Sequence, residues 1–193
     1  MAIRKIARMG HPVLRRRAEE IIDPQAREIR VLIRDMMETM VDADGLGIAA
    51  PQVYESKRVV MFFVPAEPTE ITETEILANA GEGEAPEPEL TILLNPVIEP
   101  LTEEHEAGWE GCLSVPELRG IVSRPCAVRY SGIAPDGSTI ERTAEGMHAR
   151  VVQHECDHLD GLLYPQRMDD LSLLTFESEW KHFGPKVENG DIE

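Results

Sequence analysis

A pair of histidines four residues apart, with a glutamate directly after the first, is the clearest chemical pattern in the sequence. The residues are His154, Glu155 and His158, in the stretch 153–161. On a helix, residues four apart lie on one face, so both imidazoles can reach one metal ion. Glu155 is rotated by about 100° from His154 and could act on a water at the metal without being a ligand. The pattern predicts a metal-binding helix, provided that a third ligand exists.

The residues around this pattern suit a helix with one apolar stripe. At about 100° per residue, Met147 and Val151 share a stripe with the two histidines, whereas Cys156 points to the opposite face. The alternative is a surface helix whose histidines are merely polar. The apolar residues on the stripe favour a buried arrangement, in a helix that starts near Thr143 and stops at Gly161.

Cysteine is the best candidate for the third ligand, because a catalytic metal of the zinc type takes three protein ligands and leaves one position open. Cys112 lies in a polar segment beside Gly111, Cys126 lies in a predicted strand, and Cys156 faces away from the histidines. A free cysteine taken alone is more often a small buried hydrophobic residue. The two histidines favour Cys112 as a ligand.

Length, charge and apolar content limit the class of protein. The chain of 193 residues suits one domain, 1–193, and its net charge is −17. Fourteen glutamates and no lysine or arginine lie between Val59 and Leu118, and such a field disfavours contact with DNA. The sequence has no apolar run of about 18 residues, no secretion signal and no disulfide spacing among its cysteines. We expect a cytoplasmic protein without membrane contact.

Hydrophobic periodicity predicts an α+β fold. A long N-terminal helix is expected from Asp23, with Pro24 in its first turn, to just before Gly45. Its apolar residues at helical spacing are Ile29, Leu32, Ile33, Met36, Met37 and Met40. Strands are expected at 58–64, 90–97, 126–134 and 138–143, with a hairpin turn at 135–137. We therefore predict antiparallel β-sheets packed around a central helix that carries the histidines.

Residues 45–52, Gly-Leu-Gly-Ile-Ala-Ala-Pro-Gln, form a loop with two glycines and one polar residue among apolar ones. Gly45 and Gly47 permit close backbone approach. A nucleotide-binding loop is disfavoured, because the segment follows a helix and lacks both a third glycine and a lysine. A loop that brings Gln52 close to a ligand explains the glutamine better than an ordinary turn does.

Three segments together resemble the peptide deformylase family: residues 45–52, Glu-Gly-Cys-Leu-Ser at 110–114 and Gln-His-Glu-Cys-Asp-His at 153–158. They occur in the family's order, and His11-Pro12 extends the resemblance over about residues 3–168. The resemblance implies a single catalytic domain that removes the N-formyl group from the initiator methionine of nascent bacterial polypeptides and releases formate.

The resemblance also implies a role for each site residue. Cys112 and the two histidines would bind one divalent metal ion, usually Fe²⁺ in the cell and replaceable by Zn²⁺, Ni²⁺ or Co²⁺. Glu155 would transfer protons, while the Gln52 amide and the Leu113 N–H would stabilise the oxyanion. We expect Met147 and Val151 to line the pocket for the methionine side chain, with plain core packing as the alternative for both. Gly45 would lie at the rim, and Gly47 is a further substrate-binding candidate. Arg119 lies near the family position that contacts the peptide.

Two segments depart from the family pattern. Residues 65–90 carry eight glutamates and four prolines and predict an exposed acidic excursion. Residues 169–193 carry seven acidic residues and two lysines, unlike the basic C-terminal helix with which some bacterial members dock on the ribosome. We expect a monomer whose ribosome contact is weak or uses another surface, such as Arg15-Arg16-Arg17.

Two other functions are compatible with the histidine pattern. A zinc metallopeptidase shares it, but takes its third ligand from a downstream His or Glu rather than from an upstream cysteine. A metal-stabilised binding module without activity would not need the base and the oxyanion groups. Asp157 has no assigned role; its angular position suits support of a ligand.

Overall fold

A computed structural model describes residues 2–64, 89–188 and 190–192 of the chain. Its helices are α1 (Arg27–Asp42), α2 (Gly146–Leu159) and α3 (Glu177–Phe183). Its strands are β1 (Gly47–Ala49), β2 (Val59–Val64), β3 (Glu89–Pro100), β4 (His105–Cys112), β5 (Val115–Pro125), β6 (Ala127–Ile133), β7 (Thr139–Glu145), β8 (Thr175–Phe176), β9 (Val187–Glu188) and β10 (Asp191–Ile192). The strands form antiparallel sheets in the orders β1-β2-β3-β6-β7, β4-β5-β8 and β9-β10. The predicted α+β class with antiparallel sheets is confirmed.

The five-stranded sheet is covered on both faces, and strand β2 shows why. Val60 and Phe62 pack in one apolar cluster with residues of α2, whereas Val59 and Met61 pack in another with residues of α1. Successive side chains of a strand point to opposite faces, so the continuous apolar run of β2 supplies both clusters. Helix α2 therefore lies on one face of this sheet and α1 on the other.

Helix α1 begins later than the sequence indicates. Asp23 does not cap it; the Asp23 carboxylate accepts a hydrogen bond from the Gln25 N–H at 2.9 Å and closes a turn before the helix. The first helical residue is Arg27, so the predicted start at Asp23 and Pro24 is wrong. Met37 belongs to the predicted apolar stripe but is 38% exposed, while the other five residues of the stripe are buried.

Helix α2 packs on the five-stranded sheet through Val152, Cys156 and Leu159. The helix begins at Gly146 rather than near Thr143, since Thr143 lies within strand β7. Beyond its last turn, Gly161 has a φ of +78°, and a Cβ there would lie 2.7 Å from the Arg15 backbone. The chain can therefore turn away from the helix only with glycine at this position.

Strands β4 and β5 are the elements that periodicity does not reveal. They pair along most of their length, and their register shifts between Gly111 and Cys112, where β4 ends. Glycine and glutamate have low strand propensity, so tertiary pairing decides the conformation here. The polar segment that carries Cys112 is thus the end of one strand and the turn into the next.

The predicted hairpin is present: β6 and β7 pair with Ile133 opposite Thr139, and Gly137 in the turn has a φ of +90°. The expected acidic excursion at 65–90 falls almost entirely outside the described residues, since β3 begins at 89. None of the helices in the described ranges has the length and apolar character needed to cross a membrane.

Candidate active site

The structure brings Cys112, at the end of β4, together with His154 and His158 of α2. One ligand atom from each residue lies within 4.8 Å of the others. The Cys112 Sγ lies 3.4 Å from the His158 Nε2, and the two imidazole rings lie edge to face with centroids 4.9 Å apart. One thiolate and two imidazoles are a donor set suited to Fe²⁺ or Zn²⁺.

Hydrogen bonds on the far side of each imidazole fix which nitrogen faces the cluster. The His154 Nδ1 lies 2.8 Å from the Glu110 carboxylate, and the His158 Nδ1 lies 3.2 Å from the Leu162 carbonyl. Both partners accept, so each Nδ1 donates the hydrogen bond and each Nε2 is left facing the cluster. The cluster therefore fits a metal ion in ring orientation as well as in residue type.

The ionisation of the cysteines separates Cys112 from Cys156. Burial raises the pKa of Cys112, but the facing histidines lower it more, and the net pKa lies well below that of a free thiol. Cys112 is therefore a thiolate, the form that binds metals. Burial raises the pKa of Cys156 to about 12, and its neutral side chain packs in the apolar core.

Glu155 is buried beside the ligand cluster. Burial raises the pKa of Glu155 to about 7, which is the range suited to a group that accepts and returns a proton at neutral pH. Its Oε2 has no hydrogen-bond partner among the residues that the structure describes. Strand β1 passes so close that a Cβ on Gly47 would collide with the Glu155 carboxylate, so glycine is required at this position.

Gln52 is buried, and its amide is held in one orientation. Its Oε1 accepts a hydrogen bond from the Ala49 N–H at 2.8 Å. Its Nε2 donates to the Ser114 Oγ at 3.2 Å and lies 3.5 Å from the Cys112 Sγ. Because the oxygen is already engaged, the NH₂ group faces the cluster. Gln52 thus places a hydrogen-bond donor where negative charge would develop.

A network of charged side chains lies behind the cluster, and Asp157 is one of its members. The Arg124 guanidinium donates to both oxygens of Glu110, at 2.7 and 2.9 Å, and to Asp157 at 2.8 Å. Asp157 also accepts from Arg167 at 2.6 and 3.2 Å, and Glu110 accepts from Arg150 at 3.0 Å. Burial acts to raise the pKa of Glu110, but hydrogen bonds from Arg124 and His154 bring it well below its usual value. Glu110 is therefore an ionised acceptor behind a histidine of the cluster.

Sequence reasoning gave no role to Glu110, Arg124 or Arg150. Glu110 lies in a recognised segment, two residues before Cys112, so alternation along a strand could have placed both side chains toward the site. Arg124 and Arg150 are far from the motifs in sequence, and only the pairing of β4 with β5 and the docking of α2 bring them to Glu110. No local signal marks them.

A cavity of about 370 Å³ opens beside the cluster. The residues predicted to bind substrate all line it: Gly45, Gly47, Arg119, Met147 and Val151. Leu113 and Gln52 line it as well. Val151 is buried, but Met147 is 54% exposed, so its predicted place on the buried side of the helix is wrong. Met147 lies one turn before Val151, near the helix start, where the cavity meets solvent.

Comparisons with known proteins agree with this site. A family model described as polypeptide deformylase matches residues 3–173. "Peptide deformylase 1" of Bordetella pertussis is 51% identical over 174 residues, which cover 90% of this chain and 92% of the relative. A class I type b peptide deformylase from Acinetobacter baumannii, solved bound to Met-Ala-Ser, superposes with a TM-score of 0.71 at 32% identity, covering 86% of this chain and all of that one. A Thermotoga maritima peptide deformylase gives a TM-score of 0.73 at 31% identity, over 88% and 100% of the two chains.

The chain belongs to the polypeptide deformylase family. It is a hydrolase that removes the N-formyl group from nascent polypeptides, and it carries a Cys–His–His cluster that could hold the metal of this class of metalloenzyme. Neither the zinc metallopeptidase nor the metal-stabilised binding module is favoured.

Proposed function

We propose that the chain hydrolyses formyl-methionyl peptides to formate and a free N-terminal methionine, with Cys112, His154 and His158 as the ligands of one divalent ion. The observation that carries the proposal is the convergence of these three donors with a buried Glu155 and an oriented Gln52 on one cavity. The described residues would act as a single catalytic domain.

The ion that we propose for the cell is Fe²⁺, with Zn²⁺, Ni²⁺ or Co²⁺ as possible replacements. A thiolate ligand favours these softer ions over Mg²⁺. When bound, the ion supplies a Lewis acid that acidifies a water and polarises the formyl oxygen.

Glu155 is the proposed general base and acid. It takes a proton from the attacking water and later delivers it to the leaving amine of the methionine. Its pKa of about 7 and its unpartnered Oε2 support this role, because the carboxylate is in reach of the cluster and can exchange a proton near neutral pH.

Gln52 and the backbone N–H of Leu113 are the proposed oxyanion donors. The NH₂ group of Gln52 already faces the cluster, and Leu113 directly follows Cys112 at the cavity wall. Donors fixed before the reaction stabilise the charge on the tetrahedral oxygen without reorganisation.

The remaining cavity residues would bind the peptide. Val151 and Met147 would contact the methionine side chain, with Gly45 and Gly47 at the rim, and Arg119 would hydrogen-bond to the peptide beyond the methionine. The exposure of Met147 suits a side chain that is covered only when substrate binds.

We further propose a cytoplasmic monomer without DNA or membrane partners. Contact with the ribosome would be weak, since α3 carries Glu177 and Glu179 as well as Lys181 and is not a basic helix. The exposed arginines at 15–17 offer another surface.

The test combines anaerobic purification, metal analysis and formate release from formyl-Met-Ala-Ser. We expect one ion per chain and formate release, no activity with ion retained in Glu155→Ala, and loss of the ion in Cys112→Ala. Full activity of Glu155→Ala, or unchanged metal content in Cys112→Ala, would contradict the assigned roles.

A further inference from the structure

The C-terminal segment of the chain forms part of the cavity wall. Strand β8 pairs with β5 so that Thr175 lies opposite Arg119, and α3 follows directly and packs against β5. Glu177, the first residue of α3, lines the cavity together with Trp109 and Arg119. The family match ends at residue 173, so this wall is built by residues beyond it.

Two side chains of α3 hold the Arg119 guanidinium. The Glu177 carboxylate accepts a hydrogen bond from the Arg119 Nη2 at 3.2 Å. The Arg119 Cζ lies 4.5 Å from the centroid of the Trp180 ring, which is the geometry of a cation–π contact. The Arg119 Nε is buried and has no hydrogen-bond partner among residues 2–64, 89–188 and 190–192. The guanidinium is thus fixed on two sides, while 32% of the Arg119 side chain remains exposed.

Trp180 is itself anchored to the sheet. Its ring meets the Trp109 ring edge to face, with centroids 5.9 Å apart, and the Trp109 Nε1 donates to the Pro185 carbonyl at 3.3 Å. Gly184 also lies against this indole, since a Cβ on Gly184 would lie 2.5 Å from the Trp180 ring. The segment from α3 to Pro185 is therefore packed around the indole that supports Arg119.

We propose that Glu177 and Trp180 are positioning residues, which fix Arg119 so that it binds the peptide backbone beyond the formyl-methionine. This rests on the proposed function, in which Arg119 contacts the peptide. An arginine held in its binding geometry loses less side-chain entropy when substrate binds. The C-terminal segment thereby favours substrates with residues after the methionine over formyl-methionine alone.

The experiment compares kcat/KM for formyl-Met-Ala-Ser and for formyl-methionine amide, which has no residue after the methionine. The ratio of the two values is the readout. We expect Arg119→Ala to lower the ratio about tenfold, and Glu177→Ala and Trp180→Ala to lower it about threefold to tenfold, through KM of the longer substrate. In the Arg119→Ala background, either further substitution should change the ratio by less than about twofold.

Glu179→Gln is the matched control, because Glu179 lies on the same short helix, is exposed and accepts a hydrogen bond from the Ser178 hydroxyl. It should keep the wild-type ratio. If Trp180→Ala unfolds the segment, Glu177→Ala provides the test, since the Glu177 side chain is 42% exposed and its removal leaves no cavity in the core.

Three results would overturn the inference. The ratio could stay unchanged in Glu177→Ala and Trp180→Ala, kcat/KM could fall equally for both substrates, or the ratio could fall further when either substitution is added to Arg119→Ala. A tighter KM in Glu177→Ala would also overturn it, because Glu177 would then compete with the peptide. These results differ from failure of the proposed function, in which the wild-type protein would release formate from neither substrate.

Discussion

The Glu110 carboxylate lies 2.8 Å from the His154 Nδ1, and the same carboxylate receives two hydrogen bonds from Arg124. The histidine is thereby held with its Nε2 toward Cys112. The arginine keeps Glu110 ionised, so Glu110 accepts the imidazole proton rather than offering one. Glu110 therefore controls both the orientation and the basicity of one candidate ligand.

Substitution of Glu110 by glutamine should weaken metal binding. The amide cannot match the charge of the carboxylate and offers a donor where an acceptor is needed. We expect metal affinity to fall by about 10- to 100-fold. Competition with a chromophoric chelator measures this, and Glu104→Gln, at an exposed site before the same strand, serves as the control. Equal affinity of Glu110→Gln and wild-type protein would exclude the role.

Substitution of Arg124 by alanine should lower the free energy of unfolding of the whole protein. Arg124 is buried and pairs with both Glu110 and Asp157, so its removal takes one ion-pair partner from each of two buried carboxylates. We expect a loss of about 3–5 kcal/mol in the free energy of unfolding, measured with urea. Arg129→Ala, on the exposed face of β6, should cost less than about 0.5 kcal/mol. Similar losses in both variants would contradict the importance of the buried pairs.

Glu155→Gln should make the metal-free protein more stable at alkaline pH. Burial raises the pKa of Glu155 in the fold to about 7 from 4.5, so the unfolded chain loses this proton first as pH rises. The buried Glu155 carboxylate therefore lowers the free energy of unfolding. This loss is absent below about pH 4.5 and complete above about pH 7. We expect Glu155→Gln to gain about 3 kcal/mol at pH 8 and nothing at pH 4, measured by urea unfolding.

Asp35→Asn provides a contrast of opposite sign. Burial acts to raise the pKa of Asp35, but hydrogen bonds from Arg4 and Arg34 leave it below its usual value. Asp35 therefore stabilises the fold above the unfolded pKa, and its substitution should destabilise at pH 7 and lose its effect as the pH falls through the folded pKa. The same pH trend in both variants would refute the assigned shifts.

Gly47→Ala should impair the reaction without releasing the ion. The three atoms that a Cβ at this position would meet first all belong to the Glu155 side chain. Displacement of a reacting group by about 1 Å can cost about a hundredfold in rate. We expect that loss in formate release with unchanged metal content. Wild-type activity in Gly47→Ala would show that Glu155 need not occupy its present position.

The sequence contains enough information for the candidate site because its residues lie in contiguous motifs. The four-residue spacing of His154 and His158 needs only one helix, and Gln52 follows directly from a glycine-rich loop. The sheet pairing of β4 and β5 cannot be read in the same way, since it depends on contacts distant in sequence. Arg124 and Asp157 meet only after that pairing.

Exposure was harder to predict than secondary structure. Met37 and Met147 both occupy apolar positions of a helical stripe, yet both reach solvent. Helical periodicity indicates which residues share a face of the helix, but not how much of that face the neighbouring elements cover. The start of α1 cannot be read from Asp23 alone, because an aspartate can close a turn as readily as it can cap a helix.

Helix α2 meets the five-stranded sheet through apolar packing, and a set of polar contacts joins it to β4 and β5. Arg150 donates to the Val122 carbonyl at 2.8 Å, Gln153 donates to the Pro125 carbonyl at 3.1 Å, and His154 and Asp157 of the helix bond to Glu110 and Arg124. An ion held by Cys112 of β4 and two histidines of α2 would cross this same boundary. Its removal would then be expected to increase amide hydrogen exchange in β4 and β5 while leaving β2 and β3 protected. The bound metal would in that way stabilise the packing of helix α2 against strands β4 and β5, in addition to its role in the reaction.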